Sequence, residues 1–398
     1  MSSDWLEARL AAYHKKYAGP KIRPLSRAVR LKAPGLAEVR DAIPQILAAQ
    51  RVLLRHFLEK LGPDGTLEFL GVPPELSAWM AALSDPDLEP PILRVDVLPL
   101  AQGEARICEI NIDSCVGVAE AADFLRIEEF REGRFSQQTP YEHLVALLGR
   151  VLAERGCDKV CLFDWSHWQE SGWFTLERLH ETLVAGLPGV EVFFATEQAG
   201  IERVDARTVV FRVFPSSDAL AAPALTTELF SKAGHVMTDF SADLLSSKVW
   251  MAVFHDNVYR ELLTDRMCAA IDSTIPWTVL VDGRNREALL AEKDRWFFKS
   301  ATDFGGRGVL AGRGSSEAEI RERLSGPAQD RWVAQERCEV IPLDVRPLGA
   351  SEAVPSVSVL GLYRFGQQWS GVLVRASVGT EVVNVSGGSF LGWGFEES

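Results

Sequence analysis

The sequence predicts a mixed α/β protein, α/β with antiparallel sheet added, arranged in more than one lobe. Three observations carry that expectation. From residue 159 short apolar runs alternate with an amphipathic stretch, KVCLFDW, then FTLERLHETLVAGL, then VEVFFATE, the texture of a small parallel sheet flanked by helices. Two β-like runs, ILRVDVLPL at 92–100 and ARICEINID at 105–113, face each other across a turn at Gln102-Gly103. The tail from residue 355 consists of short β runs with glycine at the joints.

The other elements follow in order. Residues 36–61 carry apolar side chains at helical spacing, interrupted at Pro44, so at least one amphipathic helix lies there. A second helical stretch falls near 140–155, and RTVVFRVF is a candidate third strand of the parallel sheet. LLSSKVWMAVFHDNVYRELL reads as helix, and IPWTVLVDG as a strand leading into a turn. Residues 296–345 hold β-like runs around WFFKS, GVLAG and RWVAQERC, with the helix-like SSEAEIRERLSG between them. There is no internal repeat, low-complexity tract or long linker.

A chain of 398 residues is long enough for two or three domains. Its composition, 47% hydrophobic and 24% charged, excludes disordered, collagen-like and coiled-coil classes. Lys and Arg number 42 against 55 Asp and Glu, a net charge of −13, which lacks the electrostatic footprint of nucleic-acid or anionic-membrane binding. A local basic cleft for a small anion stays compatible with it. The cysteines, Cys108, Cys115, Cys157, Cys161, Cys268 and Cys338, form no CxxC or Cys/His pair of zinc type and read as free thiols in a reducing compartment. The first residues hold scattered charges and no apolar core of a signal peptide, and no later run reaches the ~18–20 apolar residues of a membrane span. The expected location is cytoplasmic.

The hairpin carries the most informative charges. A register centred on Gln102-Gly103 sets Asp96 opposite Glu109 and Arg94 opposite Asn111. Alternation then projects all four from one face and sends Val95, Val97, Cys108 and Ile110 into a core. Facing carboxylates repel, so the pair makes sense around a divalent cation; Asp96, Glu109 and Asn111 offer the hard oxygens that Mg²⁺ prefers. Arg94 beside them suits charge on a phosphoryl group. The plain alternative is a solvated polar face on which Arg94 offsets the two acids.

WFFKSATDFGGRGVLAG, residues 296–312, is the second signal. Lys299 ends an aromatic strand, and Gly305, Gly306 and Gly308 allow backbone N–H groups close to a phosphate. It is neither a P-loop, where the Lys follows the glycines, nor a GxGxxG fingerprint. The alternative is an ordinary glycine-rich hairpin. WVAQERCEV, residues 332–340, reads as a strand whose exit can offer backbone groups to an adenine edge, or as a plain edge strand. His167 and the tryptophans of FDWSHWQESGWF suit either the lining of an acceptor site or a packed corner. The histidines show no HxxxH or HExxH spacing, and no GxSxG elbow occurs.

Together these pieces resemble the ATP-grasp superfamily. RVD…EIN resembles the metal-binding end of D-alanine–D-alanine ligase, FFKSATDFGGRGV a lid lysine with its glycine loop, SSKVW…IPWTV the segment of the other nucleotide-binding lysine, and WVAQERC the hinge strand that reads adenine. The hairpin precedes both lysines here, the order of circularly permuted ATP-grasp proteins, which include glutathionylspermidine synthase-like ligases and antibiotic-biosynthesis peptide ligases. GVLVRAS…NVSGGS resembles the tail of that group. The resemblance touches most of residues 90–390 through short motifs.

The resemblance implies an ATP-grasp architecture in permuted order, with the nucleotide clasped between two lobes. It implies that Asp96, Glu109 and Asn111 hold Mg²⁺, that Arg94 and Arg375 meet the γ-phosphate or an acyl-phosphate, and that Lys248 and Lys299 bind ATP phosphates under Gly305, Gly306, Arg307 and Gly308. At the hinge it implies Gln335 or Glu336, with Cys338 beside them, against adenine, and Asp344 or Glu339 on the ribose. Ser247 stands before Lys248 where many members have Asp. The implied division is 1–135 for N-terminal helices plus the metal-binding hairpin, 136–245 for a Rossmann-like acceptor-side domain, and 246–290 for a link to the lid. Residues 291–345 form the lid, and 346–398 the strands completing the core lobe.

The implied activity is an ATP-dependent carboxylate–amine ligase that forms an amide through an acyl-phosphate, releasing ADP and phosphate. Its cofactors would be ATP and Mg²⁺, its substrates a small carboxylate and an amine, an amino acid or peptide among them, and its default assembly a homodimer. The alternatives are loading of an amino acid onto a carrier-protein thiol, and a nucleotide-binding regulatory protein without ligase chemistry.

Overall fold

The computed structural model describes residues 23–31, 34–112, 122–123, 125–127, 129, 139–303, 308–326, 331–383 and 388–396, with backbone only for 169–175. Its strands form three sheets. The largest has eight strands, along the path β1 (Arg23–Pro24), β16 (Phe390–Glu396), β15 (Gln368–Ser377), β14 (Val354–Phe365), β3 (Ile92–Pro99) and β4 (Ala105–Asn111). Two short strands join it at the side: β2 (Val29–Leu31) on β16 and β13 (Leu343–Val345) on β14. The early hairpin β3–β4 is thus completed by strands from the far end of the chain.

The second sheet is parallel, in the order β6 (Glu191–Ala195), β5 (Lys159–Phe163), β7 (Thr208–Arg212), β8 (His235–Met237). Its central strands β5 and β7 are short runs buried on both faces, as a parallel sheet requires. The third is antiparallel, in the order β11 (Val309–Ala311), β10 (Trp296–Ser300), β12 (Trp332–Glu336), β9 (Thr278–Leu280). It packs Trp296, Phe298 and Ala334 on the helices α10 (Arg286–Ala291) and α11 (Glu317–Leu324), through Leu289, Leu290, Ile320 and Leu324.

The two faces of the large sheet differ. One is largely apolar: Val95, Val97, Ile107, Leu360, Leu362 and Val374 pack on the helix α1 (Pro34–Leu70) through Leu36, Val39, Ile43 and Leu53. On the other face Ile92, Tyr363, Leu373 and Trp393 pack on α2 (Pro140–Arg155) and on the parallel sheet. Further along that second face the apolar cover stops and the charged groups begin. α2 starts in a capping box formed by Thr139 and Glu142 and ends at Gly156 in the left-handed region.

Three expectations need correction. α1 runs through Pro44 unbroken; its non-helical residue is Gly62, at φ 69°. The proline removes one hydrogen bond, but the buried apolar stripe around it holds the helix on the sheet. The stretch expected as one helix over 244–263 begins within α6 (Ser241–Leu245) and continues as two further short helices, α7 (Val249–Val253) and α8 (Asn257–Arg260). The chain breaks at Ser247–Lys248 because the Lys248 amide bonds Ala301 O at 2.9 Å and Ser247 Oγ bonds Leu70 O at 2.6 Å. The side chain of Asp256 caps a fresh start at Val258.

The third correction is in the hairpin. Arg94 faces Asn111 and Asp96 faces Glu109 as expected, but Val97 faces Ile107, because Cys108 is an extra residue in β4. A bulge of this kind bends the strand and re-aims its groups. Cys108 therefore does not continue the core alternation: its thiol donates to Asp96 O at 3.3 Å and its carbonyl is turned to the antiparallel sheet.

Candidate active site

Asp96 is the centre of the charged patch. It is 1% exposed, and its carboxylate accepts from Arg94 Nε at 2.8 Å, Asn111 Nδ2 at 2.8 Å and Arg375 Nη2 at 2.5 Å. Burial works to raise the carboxyl pKa, but Arg375 and then Arg94 outweigh it and hold it below the ordinary carboxylate value. β3, β4 and β15 supply these four side chains, and β14 lies between. Its residue opposite Asp96 is Gly361, where a Cβ would stand 2.7 Å from Arg94 Cδ and 3.2 Å from Asp96 Oδ1. Only glycine leaves room for the guanidinium to lie across the strand.

The two lysines meet this hairpin. Lys248, between α6 and α7, sets Nζ 3.0 Å from Glu109 Oε1 and donates to Asp303 O at 2.9 Å. Lys299, on β10, donates to Cys108 O at 2.9 Å and to Gln335 Oε1 at 2.6 Å. They are 5% and 8% exposed, so both ammonium groups sit in a largely dry environment. Gly308 packs against Asp303, where a Cβ would come within 2.5 Å of the Asp303 Cβ, and its carbonyl closes the turn by accepting from Ser300 N at 2.8 Å. Gly305, Gly306 and Arg307 lie outside the described residues.

At the hinge the side chain of Gln335 is engaged by Lys299 and by Thr278 Oγ1 at 3.3 Å. Glu336 faces Arg295 at 3.1 Å, and its amide bonds Trp277 O at 2.7 Å. One residue on, the Arg337 amide bonds Arg295 O, whereas the main chain of Cys338 has no hydrogen-bond partner among the described residues. Burial raises the Cys338 thiol pKa. Asp344 is exposed on β13, and Glu339 is held by Arg337.

The arrangement has a definite charge balance. Among the described residues Arg94 and Arg375 both reach Asp96, Lys248 reaches Glu109 and Lys299 meets neutral acceptors, and Arg375 Nε is buried with no partner. Four cations gathered around one hairpin, with an orphaned guanidinium nitrogen on Arg375, fit a polyanionic ligand such as a triphosphate. Among the described residues no three His, Cys, Asp or Glu side chains group closely enough to hold a metal by themselves. The expected set is two carboxylates and an amide, which leaves the rest of a magnesium shell to phosphate and water. Glu109, its side chain 26% exposed, is the most open of the three, and the oxygen chemistry fits Mg²⁺.

Comparison with known proteins follows the same lines. A glutathione synthetase-like effector from Globodera pallida, solved in its apo form, superposes with a TM-score of 0.62 over 99% of this chain and 97% of its own, at 12% identity. A protein assigned as a gamma-glutamylcysteine synthetase from Methylobacillus flagellatus covers 95% of this chain and 90% of its own, at 12% identity and a TM-score of 0.46, too loose to carry an argument. No family profile and no curated protein matches the chain. The fold is therefore mixed α/β, as the sequence led us to expect, and is shared with the glutathione synthetase-like effector. Among the described residues no helix is long and apolar enough to cross a membrane.

Several groups at the site were not singled out from sequence. The carbonyls of Cys108 and Asp303 and the bare Cα of Gly361 carry no side-chain signal. The bulge and the close approach that give them their roles exist only once the strands are paired.

Proposed function

We propose that the chain is an ATP-dependent ligase joining a small carboxylate to an amine. ATP would convert the carboxylate to an acyl-phosphate with release of ADP, and the amine would displace phosphate to form the amide. The observation that carries this reading is the meeting of Lys248, Lys299, Arg94 and Arg375 around one hairpin.

In this reading Lys248 and Lys299 exchange their present acceptors for phosphate oxygens. Because they are already desolvated and held, little reorganisation is needed when the ligand arrives. Arg375 and Arg94, fixed by Asp96, present guanidinium groups to the transferring phosphoryl. Glu109 and Asn111, with Asp96 beside them, would hold Mg²⁺, which when bound offsets phosphate charge and helps align the terminal phosphate. The unpaired main chain at Cys338 is the best placed hinge group for an adenine edge, with Gln335 serving to hold Lys299. The hairpin preceding both lysines supports a circularly permuted chain order.

A coupled ADP-release screen over paired carboxylates and amines, with phosphate and pyrophosphate measured in parallel, tests the proposal. Carboxylate-dependent phosphate release supports it, and pyrophosphate with AMP overturns the acyl-phosphate route. Glu109→Gln should fold normally by circular dichroism and show no turnover at saturating Mg²⁺; wild-type turnover would remove Glu109 from the metal set.

A further inference from the structure

A second set of charged groups gathers at the carboxyl ends of β5, β6 and β7. β5 lies between β6 and β7, so the crossover leaving β5 runs to one side and the crossover leaving β7 to the other. A crevice between the tips of two such strands is where open parallel sheets bind ligands. Asp164 stands there, one residue beyond β5 and 4% exposed. Its Oδ1 accepts from Trp165 N at 2.9 Å, and its Oδ2 has no partner among the described residues.

The charged groups around Asp164 are mostly acids. Glu197, from the loop after β6, takes the amide of Ser166 at 2.8 Å. Asp218, from the helix α4 (Ser216–Ala221), takes Trp168 Nε1 at 2.7 Å and faces His167 at 3.5 Å. Arg212, at the end of β7, is committed elsewhere, to Phe214 O at 2.7 Å, to Thr238 O at 2.5 Å and to Asp243. Burial pushes the Asp164 carboxyl up to about 7, and Asp218 and Glu197 add in the same direction against the Trp165 amide and His167.

A largely buried carboxyl with an unpartnered oxygen and no lysine or arginine paired with it among the described residues is costly to keep charged, and a ligand that supplies the cation offsets the cost. A small metal ion is the wrong ligand, because among the described residues no three of these groups lie close enough to hold one. The partly exposed ring of Trp168, held by Asp218, suits an organic cation. A free amino acid would bring its own carboxylate against the acids. We propose that this crevice binds the ammonium group of an amine carrying no neighbouring carboxylate, with Asp164 as its buried counter-ion. As the acceptor subsite it rests on the ligase reading; as an ammonium site it does not. From the tip of β8 the chain passes through Thr238 and α6 to Ser246, whose Oγ accepts from Ile112 N at 2.7 Å, and then to Lys248, so the crevice and the lysine site share a connecting segment.

The test is calorimetric titration of the full chain with 1,4-diaminobutane, without nucleotide, at pH 8 and pH 6. Saturable binding that is tighter at pH 8, absent for glycine, and weakened about tenfold or more by Asp164→Asn is expected. Equal diamine binding by folded Asp164→Asn, or glycine binding as tightly as the diamine, overturns the proposal. Glu197→Gln, which leaves Asp164 in place, should weaken diamine binding by a smaller factor, and no weakening in either variant has the same overturning force. Hydroxylamine trapping on the wild type separates the two readings: no hydroxamate with any carboxylate ends the ligase reading while the diamine titration stands by itself. With a ligase substrate in hand, Asp164→Asn should raise the KM for the amine and leave kcat less affected; an unchanged KM removes the acceptor role.

Discussion

Lys299 is held by two acceptors that meet no other cation among the described residues, the Cys108 carbonyl and the Gln335 amide oxygen. Lys299→Ala should therefore weaken ATP binding about tenfold or more and also lower stability by about 1–3 kcal/mol, since buried acceptors are left unmet. Equilibrium nucleotide binding and thermal melts separate the two effects. Asp164 gives a pH signature of the opposite kind from Asp96. With its pKa pushed up to about 7, the folded protein holds a proton that an unfolded chain releases near pH ~4. The folded state then binds more protons between those values, and stability falls as pH rises through that window. Asp164→Asn should erase this slope, melting higher than the wild type at pH 8, by a smaller margin at pH 5, and level with it only below the ordinary carboxylate range. Asp96, whose carboxyl is held low, contributes stability above the ordinary carboxylate range that is lost only in acid.

At the scale of the element, β14 is the strand that makes the charged hairpin possible without carrying a charged group at its centre. Gly361→Ala places a methyl against Arg94 and Asp96. The apolar face, with Leu360 and Leu362 fully buried, should keep the sheet intact at a cost of about 1–3 kcal/mol, while turnover falls steeply; activity and melting temperature on one preparation check this. The hairpin itself was legible from residue types and alternation: Arg94, Asp96, Glu109 and Asn111 share a face because the strand period is fixed. The bulge at Cys108 was not, since an unbroken register extrapolates past an inserted residue without any compositional mark. Pro44 misled for a related reason, because its local cost is visible in sequence and the sheet that α1 packs on is not. Asp164 sat within a stretch whose tryptophans and histidine drew notice, but its burial depends on the β5–β7 packing.

At the scale of the whole molecule, polar ties join the antiparallel sheet and its exit to the large sheet among the described residues. Lys299 bonds Cys108 O, Ile341 N bonds Pro99 O at 3.0 Å, and Arg337 pairs with Glu381. Such polar ties suit two bodies that open and close on a ligand. Arg337→Glu should raise the ATP dissociation rate several-fold, and adding Glu381→Arg should restore it in part; stopped-flow release of a fluorescent ATP analogue reads both. The large sheet has the reverse character. Val97 lies opposite Leu360, so β3 finds its partner in a strand encoded near the other terminus. During synthesis on the ribosome the nascent hairpin must wait with a bare hydrogen-bonding edge until most of the polypeptide has emerged. In that interval the charges of Arg94 and Asp96 on β3 discourage edge-to-edge aggregation.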